Sequence, residues 1–252
     1  MKSKRKLGRV IGIVAVVILA IAGFALTRSR QAATQTSEPY NPAIRPADFV
    51  PNVDNRYFPL VPGTTFVLRN KRSGETETMV VTNAKKTVMG VETTAVWYRE
   101  VNKKNELVEE TYDWYAQDKD GTVWYFGEET KSYKNGKLVS TAGSWEAGKN
   151  GALPGIIMKK NPQVGETWRQ EYSKGTAEDM AQVLRTTESV TVPAGTYANC
   201  IRTKDWDSLR PFWDSLKPFK TEDKYYCPGA GIALEVASGG LSRTELVSIQ
   251  LE

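Results

Sequence analysis

The sequence predicts a mainly antiparallel all-β fold, in which a meander of strands curls into a single sheet, a half-barrel or a barrel. Three observations lead to this prediction. From residue 57 onward, ten or more β-prone segments follow one another with mostly short connections. Turn signals separate the segments, and Asn135-Gly136 is the strongest hairpin signal among them. The chain shows no alternation of strands with helices, and a flat sheet of this size would leave open edges.

The chain begins with a leader that predicts export. Residues 1–9 form a basic cytoplasmic n-region, and residues 10–26 form an uncharged apolar run. As a helix this run would extend ~25 Å, which approaches the ~30 Å of a hydrocarbon core. The basic start stays in the cytoplasm, so the remainder is expected outside. We expect a transmembrane signal anchor over 10–26, with a cleaved signal peptide as the alternative.

A linker and one exported domain are expected after the leader. Residues 27–50 are polar, contain three prolines and show no periodicity, which is typical of an extended linker. Residues 51–252 are expected to form one exported β domain. Its strands are predicted at 66–70, 77–84, 91–101, 106–117, 122–129, 131–134, 137–141, 166–172, 181–192, 196–206, 223–229, 231–237 and 244–251.

The positive charge of the chain belongs to its leader. The sequence has 34 basic and 29 acidic residues and a formal charge of +5. Residues 1–30 hold seven basic side chains and no acid, so residues 31–252 hold 27 basic and 29 acidic residues, a net charge of −2. A nucleic-acid-binding domain needs a basic face on its folded part. We therefore expect no nucleic-acid partner.

The residue inventory excludes several kinds of site. The chain has no histidine, which excludes a Ser-His-Asp triad, a Cys-His dyad and an HExxH zinc site. Two cysteines cannot build an iron–sulfur cluster or a structural zinc site. We predict no metal and no cofactor, and the missing imidazole argues against an enzyme.

The two cysteines predict a disulfide across neighbouring strands. If Trp206 lies opposite Thr221, then Cys200 lies opposite Cys227. Opposed positions are ~4.5–5.5 Å apart, which a disulfide can bridge. A redox or nucleophilic pair is the alternative, but the chain has no CxxC motif and no histidine to activate a thiol.

Several blocks resemble a family of uncharacterised exported bacterial β-rich proteins. The resemblance covers most of the exported domain, and 110–137, with its DWYAQD-x-x-G-x-VWYFGE pattern, is its most specific block. It implies an exported location and a β architecture. The family has no established activity, so the resemblance assigns no catalytic residue. The blocks are 57–69 with an FPL-x-x-G opening, 110–137, 143–158, 170–184, 190–200 and 224–235.

The hairpin over 113–129 is the first candidate site, and two registers are open for it. A two-residue turn at Asp120-Gly121 would pair Asp113 with Glu128 on an aromatic face that includes Tyr115. A four-residue turn over 118–121 would instead pair Ala116 with Trp124 and move Asp113 off that face. The second register fits the burial pattern better. The ligand-binding candidates of this hairpin are Asp113, Tyr115, Trp124 and Glu128.

The stretch 141–163 is rich in glycine and proline and is expected to be a long ordered loop. Trp145 and Glu146 within it are further ligand-binding candidates, because long loops often carry function. The favoured alternative is a loop that plugs one end of the sheet with its apolar residues Ile156, Ile157 and Met158.

Residues 207–220 predict one short amphipathic helix. Four apolar residues recur at the i, i+3, i+4, i+7 spacing of a helix face, namely Leu209, Phe212, Trp213 and Leu216. This face is a candidate partner-docking or membrane surface. A helix that covers an open sheet edge is the favoured alternative, since such an edge needs cover.

Together these features indicate a membrane-anchored binding or structural module of the bacterial envelope. Its membrane contact would be residues 10–26, and its ligand or partner a small molecule, a glycan or an envelope protein. One alternative is a carboxylate-based enzyme on glycans, which would use members of the set Asp113, Glu128, Glu129 and Glu146. Another is an accessory subunit of a membrane complex.

Overall fold

The computed structural model describes residues 39–209, 221–240 and 242–252. The n-region 1–9, the apolar run 10–26 and most of the linker lie outside the described residues, as do Phe212, Trp213 and Leu216 of the predicted helix. Within the described part, no helix combines the length and the apolar character needed to cross a membrane.

The described residues form sixteen strands and two short 3-10 turns, at Pro46–Asp48 and Ser238–Gly240. The strands are Phe49–Val50 (β1), Thr64–Asn70 (β2), Thr76–Val88 (β3), Val91–Val101 (β4), Leu107–Asp118 (β5), Val123–Lys134 (β6), Lys137–Ser140 (β7), Trp145–Glu146 (β8), Leu153–Met158 (β9), Thr167–Arg169 (β10), Glu171–Tyr172 (β11), Asp179–Val192 (β12), Gly195–Asp207 (β13), Thr221–Cys227 (β14), Gly231–Ala237 (β15) and Arg243–Leu251 (β16).

The strands form one antiparallel sheet that nearly closes into a barrel. Their order is β10-β12-β13-β14-β15-β16-β2-β3-β4-β5-β6-β9-β11, so the chain runs around the sheet largely in sequence order. The last strand, β16, pairs with β2. The two ends of the path, β10 and β11, are separated along the chain by Gln170 alone. The predicted all-β antiparallel meander is confirmed, and the barrel-like arrangement encloses a space that we call the lumen.

The segment 53–60, which precedes β2, fills one part of the lumen with apolar side chains. The Phe58 ring lies 5.2 Å from that of Tyr115 on β5 and 6.3 Å from that of Tyr226 on β14. These two strands are far apart in the sheet order, so Phe58 packs between opposite walls. Val53 and Leu60, from the same segment, are also buried. This segment supplies internal packing in addition to residues 156–158, which also pack on the core but do so from a strand rather than from a plug.

The stretch 141–163 is not one continuous loop, which corrects the prediction. Its residues form β8 and β9, and both strands pair with β6. Ile156 pairs with Trp124, and Met158 pairs with Val123 and is fully buried. The β-branched and apolar residues of this stretch satisfy the free backbone groups along β6, and this pairing outweighs the local turn signals.

The domain also begins before residue 51. The Tyr40 hydroxyl donates a hydrogen bond of 2.7 Å to the Pro154 carbonyl oxygen. The Phe49 ring lies 5.5 Å from the Phe126 ring, and β1 pairs with the end of β5. Residues from Tyr40 onward belong to the compact unit, because their aromatic side chains pack on the sheet.

The disulfide and its register agree with the prediction. Trp206 pairs with Thr221 across β13 and β14, and Cys200 and Cys227 are bonded with their Cα atoms 4.2 Å apart. Both cysteines are buried. The disulfide therefore joins two neighbouring strands of the sheet wall.

Candidate functional site

The hairpin of β5 and β6 uses both predicted registers, one after the other. Near the turn, Ala116 pairs with Trp124, as the four-residue turn requires. The Gly121 amide donates a hydrogen bond of 2.9 Å to the Asp118 carbonyl oxygen and closes the turn over 118–121. The register that the burial pattern favours is therefore correct at this end of the hairpin.

Farther from the turn, a bulge shifts the pairing by one residue. Asp113 pairs with Glu128. Gly127, which lies on β6 between Tyr125 and Glu128, has a φ of 132°. A Cβ atom at Gly127 would lie 2.3 Å from the Trp145 carbonyl oxygen, so glycine is required where β8 approaches. The expectation that Asp113 leaves the aromatic face is wrong, because the bulge restores the pairing of the two carboxylates.

The bulge brings together four of the predicted site residues around Tyr125, which the sequence analysis did not single out. The Tyr125 hydroxyl donates a hydrogen bond of 2.5 Å to Asp113 Oδ1. The Tyr125 ring stacks on Tyr115, with ring centres 4.7 Å apart, and meets the edge of Trp145 at 5.4 Å. Glu128, the pairing partner of Asp113, completes the group.

Burial changes the acidity of this carboxylate pair. Removal from water raises the pKa of Asp113 to about 7, although the hydrogen bond from Tyr125 acts in the opposite direction. Burial, together with the negative charges of Glu171 and Asp113, raises the pKa of Glu128 to about 9. At neutral pH the pair therefore holds protons that exposed carboxylates would have lost.

Two other candidates do not join this group. Trp124 donates from Nε1 to Asp118 Oδ2 at 2.8 Å and lies beside the turn. Glu146 binds Lys86 and Lys149, each with an N–O distance of 2.9 Å. These two side chains are held by partners of their own.

The lumen beyond the aromatic group is strongly acidic. Lys224 on β14 affects the pKa of Glu77 on β3 and of Asp113 on β5, although these strands are not neighbours in the sheet. Asp113 and Lys224 each lie two residues from Tyr115 and Tyr226 on their strands, and both of those rings contact Phe58, so the two charged groups face one space. The carboxyl groups of this network are called the lumen acids, and they are Glu77, Glu100, Glu109, Asp113, Glu128, Glu171, Asp179, Asp205, Asp207, Glu222 and Glu235.

Several lumen acids have pKa values above the ordinary range of a carboxyl group. Burial is the largest cause for each shifted group, and neighbouring carboxylates add to it. The pKa reaches about 9 for Glu77, about 8 for Glu171 and about 7 for Glu235, where Lys224 acts against the rise. Burial opposes the charge of Lys224, but Glu235 and the other acids outweigh it and raise the lysine's pKa.

Lys224 lies among three carboxylates without a close bond to any of them. Its Nζ atom is 3.7 Å from Glu235 and 3.9 Å from both Asp205 and Glu222. The lysine side chain keeps 25% of its surface accessible, and that of Glu222 keeps 38%. The acidic part of the lumen is therefore accessible to solvent, in contrast to the packed part around Phe58.

Candidate side chains also line a second space, the outer cleft, of about 380 Å³. Glu128 contributes to it from the aromatic group, and Glu146 contributes from β8. The ammonium group of Lys86 lies 3.2 Å from the centre of the Trp114 ring. The cleft is lined by Lys86, Trp114, Glu128, Glu129, Ser144, Trp145, Glu146, Lys149, Asn150, Ser173, Lys174 and Thr176.

Of the predicted partner-docking face, the structure describes Leu209 alone. The Leu209 amide donates a hydrogen bond of 2.8 Å to Asp207 Oδ1 in a turn that follows β13. Among the described residues, no group of three or more acidic or sulfur ligands is arranged to hold a metal ion.

Apart from Asp113 and Glu128, the lumen acids and Lys224 were not predicted from the sequence, although a signal existed. On β14, Glu222, Lys224 and Tyr226 recur at every second position and therefore share one face of the strand. Charged residues at this spacing usually mark a solvent-exposed face. Which face points inward depends on the closure of the sheet, and the spacing alone does not contain that information.

Comparisons with known proteins give two weak structural likenesses. No protein-family model matches the chain, and no curated protein matches it. A candidate exported protein with a YmcC-like fold from Bacteroides fragilis is 14% identical, with a TM-score of 0.46, over 77% of this chain and 98% of that one. A candidate lipoprotein from Parabacteroides distasonis is 15% identical, with a TM-score of 0.43, over 78% and 99%. TM-scores this low do not support a functional assignment, so the proposals below are argued from the geometry of the site.

Proposed function

We propose that the protein is an exported binding module of the bacterial envelope, anchored through residues 10–26, that takes a small organic ligand into the acidic part of its lumen. The leader supports the location, because a basic start followed by an apolar run directs export. The aromatic group around Tyr125 and the solvent-accessible acidic side chains of the lumen support binding.

One observation carries this proposal: the acidic part of the lumen is lined with polar groups that remain accessible to solvent. Lys224 and Glu222 face the lumen and keep 25% and 38% of their side-chain surface accessible. A core that served stability alone would be packed closely with apolar side chains. Burial of carboxyl groups is costly unless partners satisfy them, so this arrangement is more typical of a ligand site than of a structural core.

The test is a ligand screen by native mass spectrometry and thermal shift on the full chain in mild detergent. The compounds should include neutral sugars, organic anions and amines. We expect a saturable ligand, which at a concentration of 100 times its Kd stabilises the folded state by about 2.7 kcal/mol. A screen without any saturable ligand would overturn the proposal.

Two tryptophan variants locate the binding. Ala237 pairs with Glu222 and therefore lies on the lumen face of β15. Ala237→Trp should place a bulky side chain beside Glu222 on the lumen face and abolish binding. Lys204 is exposed on β13, and Lys204→Trp should leave binding unchanged. Equal binding by both variants would place the ligand outside the lumen.

A second candidate function is carboxylate catalysis on glycans in the outer cleft. Burial raises the pKa of Glu128 to about 9. Burial acts in the same direction on Glu146, but hydrogen bonds from Lys149 and Lys86 outweigh it and lower the pKa of Glu146. Glycoside hydrolysis uses one protonated and one ionised carboxyl group in the same cleft, and Glu128 and Glu146 both line this one.

Release of reducing ends from soluble envelope glycans tests this second function. We expect Glu128→Gln to lower the rate at least 100-fold, because the glutamine cannot donate a proton to the leaving group. Glu92→Gln, at an exposed position on β4, serves as the control. A wild-type chain without activity on any glycan offered would exclude catalysis on those glycans.

A further inference from the structure

The outer cleft contains a cluster of three charged side chains with one surplus positive charge. The ammonium groups of Lys86 and Lys149 both lie 2.9 Å from the same oxygen, Oε2 of Glu146. All three residues line the cleft. Because one carboxylate balances only one of the two ammonium groups, the cluster keeps a charge of +1. An anion in the cleft would therefore be attracted to it.

Both lysines keep N–H donors for a ligand. Each ammonium group has three such donors. Lys86 directs one to Glu146 and lies 3.2 Å from the centre of the Trp114 ring, which occupies a second. Lys149 directs one to Glu146, and its side chain is 65% exposed. The backbone of Lys149 is held in a turn, because its carbonyl oxygen accepts a hydrogen bond of 2.9 Å from the Ala152 amide.

The other charged residues of the lining do not cancel the surplus. Glu129 has a partner of its own, since Lys131 Nζ lies 2.9 Å from its Oε1 atom. Burial raises the pKa of Glu128 to about 9, so this carboxyl group is protonated at neutral pH. Lys174 is exposed and adds a further positive charge to the lining. The cleft therefore differs in sign from the acidic lumen.

Trp145 adds a hydrogen-bond donor that has no partner. The residue lines the cleft and is 6% exposed. Its indole Nε1 atom is buried and has no acceptor among the described residues. An indole N–H can donate but not accept, and a buried donor without an acceptor is costly. A ligand rich in acceptor oxygens would remove that cost.

The rest of the lining separates the classes of anion. Lys86 covers the Trp114 ring and Trp145 is buried, so the cleft offers little apolar surface to a lipid-like anion. A surplus of one positive charge matches a carboxylate, whereas a phosphate monoester carries a charge of about −1.5 to −2. Neutral polar side chains that can bind hydroxyl groups also line the cleft, namely Asn150, Ser173 and Thr176.

We propose that the outer cleft binds a sugar acid, whose carboxylate is held by Lys86 and Lys149 and whose oxygen atoms accept the indole N–H of Trp145. The cleft volume of about 380 Å³ lies within the range of roughly 300–1,000 Å³ that small-molecule pockets have. This inference goes beyond the ligand of the lumen, because it assigns a second site of opposite charge. It also does not require the cleft to hydrolyse glycans.

The experiment is calorimetric titration of the full chain in mild detergent with the methyl glycosides of glucuronic and galacturonic acid. The control ligands are methyl glucoside and methyl galactoside, which have a hydroxymethyl group in place of the carboxylate. We expect saturable binding of at least one acid and roughly 30-fold weaker binding of its neutral counterpart. Equal binding of acid and neutral sugar, or no saturable binding of either acid, would overturn the inference. Tighter binding of glucose 6-phosphate would overturn the carboxylate class.

A charge reversal at Lys149 locates the binding. Lys149→Glu should weaken binding of the acid by about 50-fold or more, because a carboxylate replaces one of the two ammonium groups. Lys137→Glu, at an exposed position on β7 outside the cleft, is the matched control with the same change in net charge. Equal weakening by the two variants would mean that overall charge attracts the ligand, and the site would be wrong.

A variant of Trp145 tests the indole donor. Trp145→Phe keeps an aromatic ring but removes the N–H, and it should weaken binding by about 3-fold or more. Near-ultraviolet circular dichroism checks that each variant folds, and Lys149→Met replaces Lys149→Glu if that variant does not. Unchanged affinity of a folded Trp145→Phe would overturn the role of the indole N–H.

The outcomes separate this site from the functions proposed above. Ala237→Trp changes the lumen face of β15 and should leave binding of the sugar acid unchanged. If Ala237→Trp abolishes this binding and Lys149→Glu does not, the acid binds in the lumen and the inference is wrong. If Lys149→Glu abolishes it and no glycan is hydrolysed, the inference stands and catalysis fails.

Discussion

At the scale of single residues, Gly127 decides which side chains form the candidate site. Its bulge restores the pairing of Asp113 with Glu128 after the turn has set a different register. The pairing was one of two open alternatives in the sequence, since either turn type fits Asp118 to Gly121. The bulge depends on β8, which approaches Gly127 from a distant part of the chain, so no local pattern could predict it.

We expect Gly127→Ala to destabilise the protein strongly. The new Cβ would meet the Trp145 carbonyl oxygen at 2.3 Å, in a backbone conformation that disfavours a side chain. The expected loss is about 3 kcal/mol of unfolding free energy, measured by urea denaturation. Gly136→Ala is the control, because nothing lies within 4 Å of its added Cβ and only the cost of its φ of 72°, about 1 kcal/mol, remains. Equal losses for the two variants would contradict the close approach of β8.

We also expect Asp113→Asn to change how stability depends on pH. The pKa of Asp113 rises from 3.8 to about 7 on folding, so its protonated form is favoured in the folded state. Its contribution is complete below pH 3.8 and is lost as the pH rises through 7, a loss on the order of 4 kcal/mol. The wild type should therefore lose more stability between pH 5 and pH 8.5 than Asp113→Asn does.

Thermal unfolding at several pH values measures this difference. Asp120→Asn, at an exposed position in the hairpin turn, should keep the slope of the wild type. Parallel curves for the wild type and Asp113→Asn would mean that Asp113 is already ionised in the folded protein at neutral pH.

At the scale of elements, local patterns predicted the strands and their neighbours well. Alternation and turn signals located β2 to β6 and β12 to β16, because each strand pairs with its neighbour in sequence. The register considered for β13 on β14, with Trp206 opposite Thr221, is the one observed. The same rules failed for 141–163, where the pairing partner is β6, an element distant enough that turn residues dominate the local pattern.

We expect loss of the disulfide between β13 and β14 to weaken the sheet wall without changing the fold. The sequence separation of 27 residues corresponds to about 3–4 kcal/mol in the chain-entropy view. Urea denaturation of a Cys200→Ala/Cys227→Ala variant measures the loss. The wild type treated with dithiothreitol should match the variant. A reduced wild type as stable as the oxidised one would show that the bridge contributes nothing.

At the scale of the whole molecule, closure of the sheet gathers the lumen acids. Glu77 and Glu235 are far apart in sequence, and the local pattern of neither strand indicates a site. The near-closed path from β10 to β11 turns their faces toward one space. Fold class was predictable from short-range patterns, whereas this site was not, because it exists only once the inward face of every strand is fixed.

We expect the intact protein from its native host to keep its leader. Retention follows from an apolar run that directly precedes Arg28 and Arg30, which is typical of an anchor. Mass spectrometry of the membrane fraction should give the full chain of 28.1 kDa, two hydrogens lighter than its reduced form. The mass of a chain that begins after Ala25 would instead establish that the leader is cleaved and the domain released.

The pairing of β16 with β2 also sets the timing of folding. Because the chain is synthesised and exported from its N-terminus, β2 is present long before Arg243–Leu251, the residues of β16 that pair with it. Until then one edge of β2 has no partner, and the ring of strands cannot close. We therefore expect the pairing of the nine residues of β16 to be a late step of folding, and a truncation that removes them to leave an open, aggregation-prone sheet instead of a slightly shorter domain.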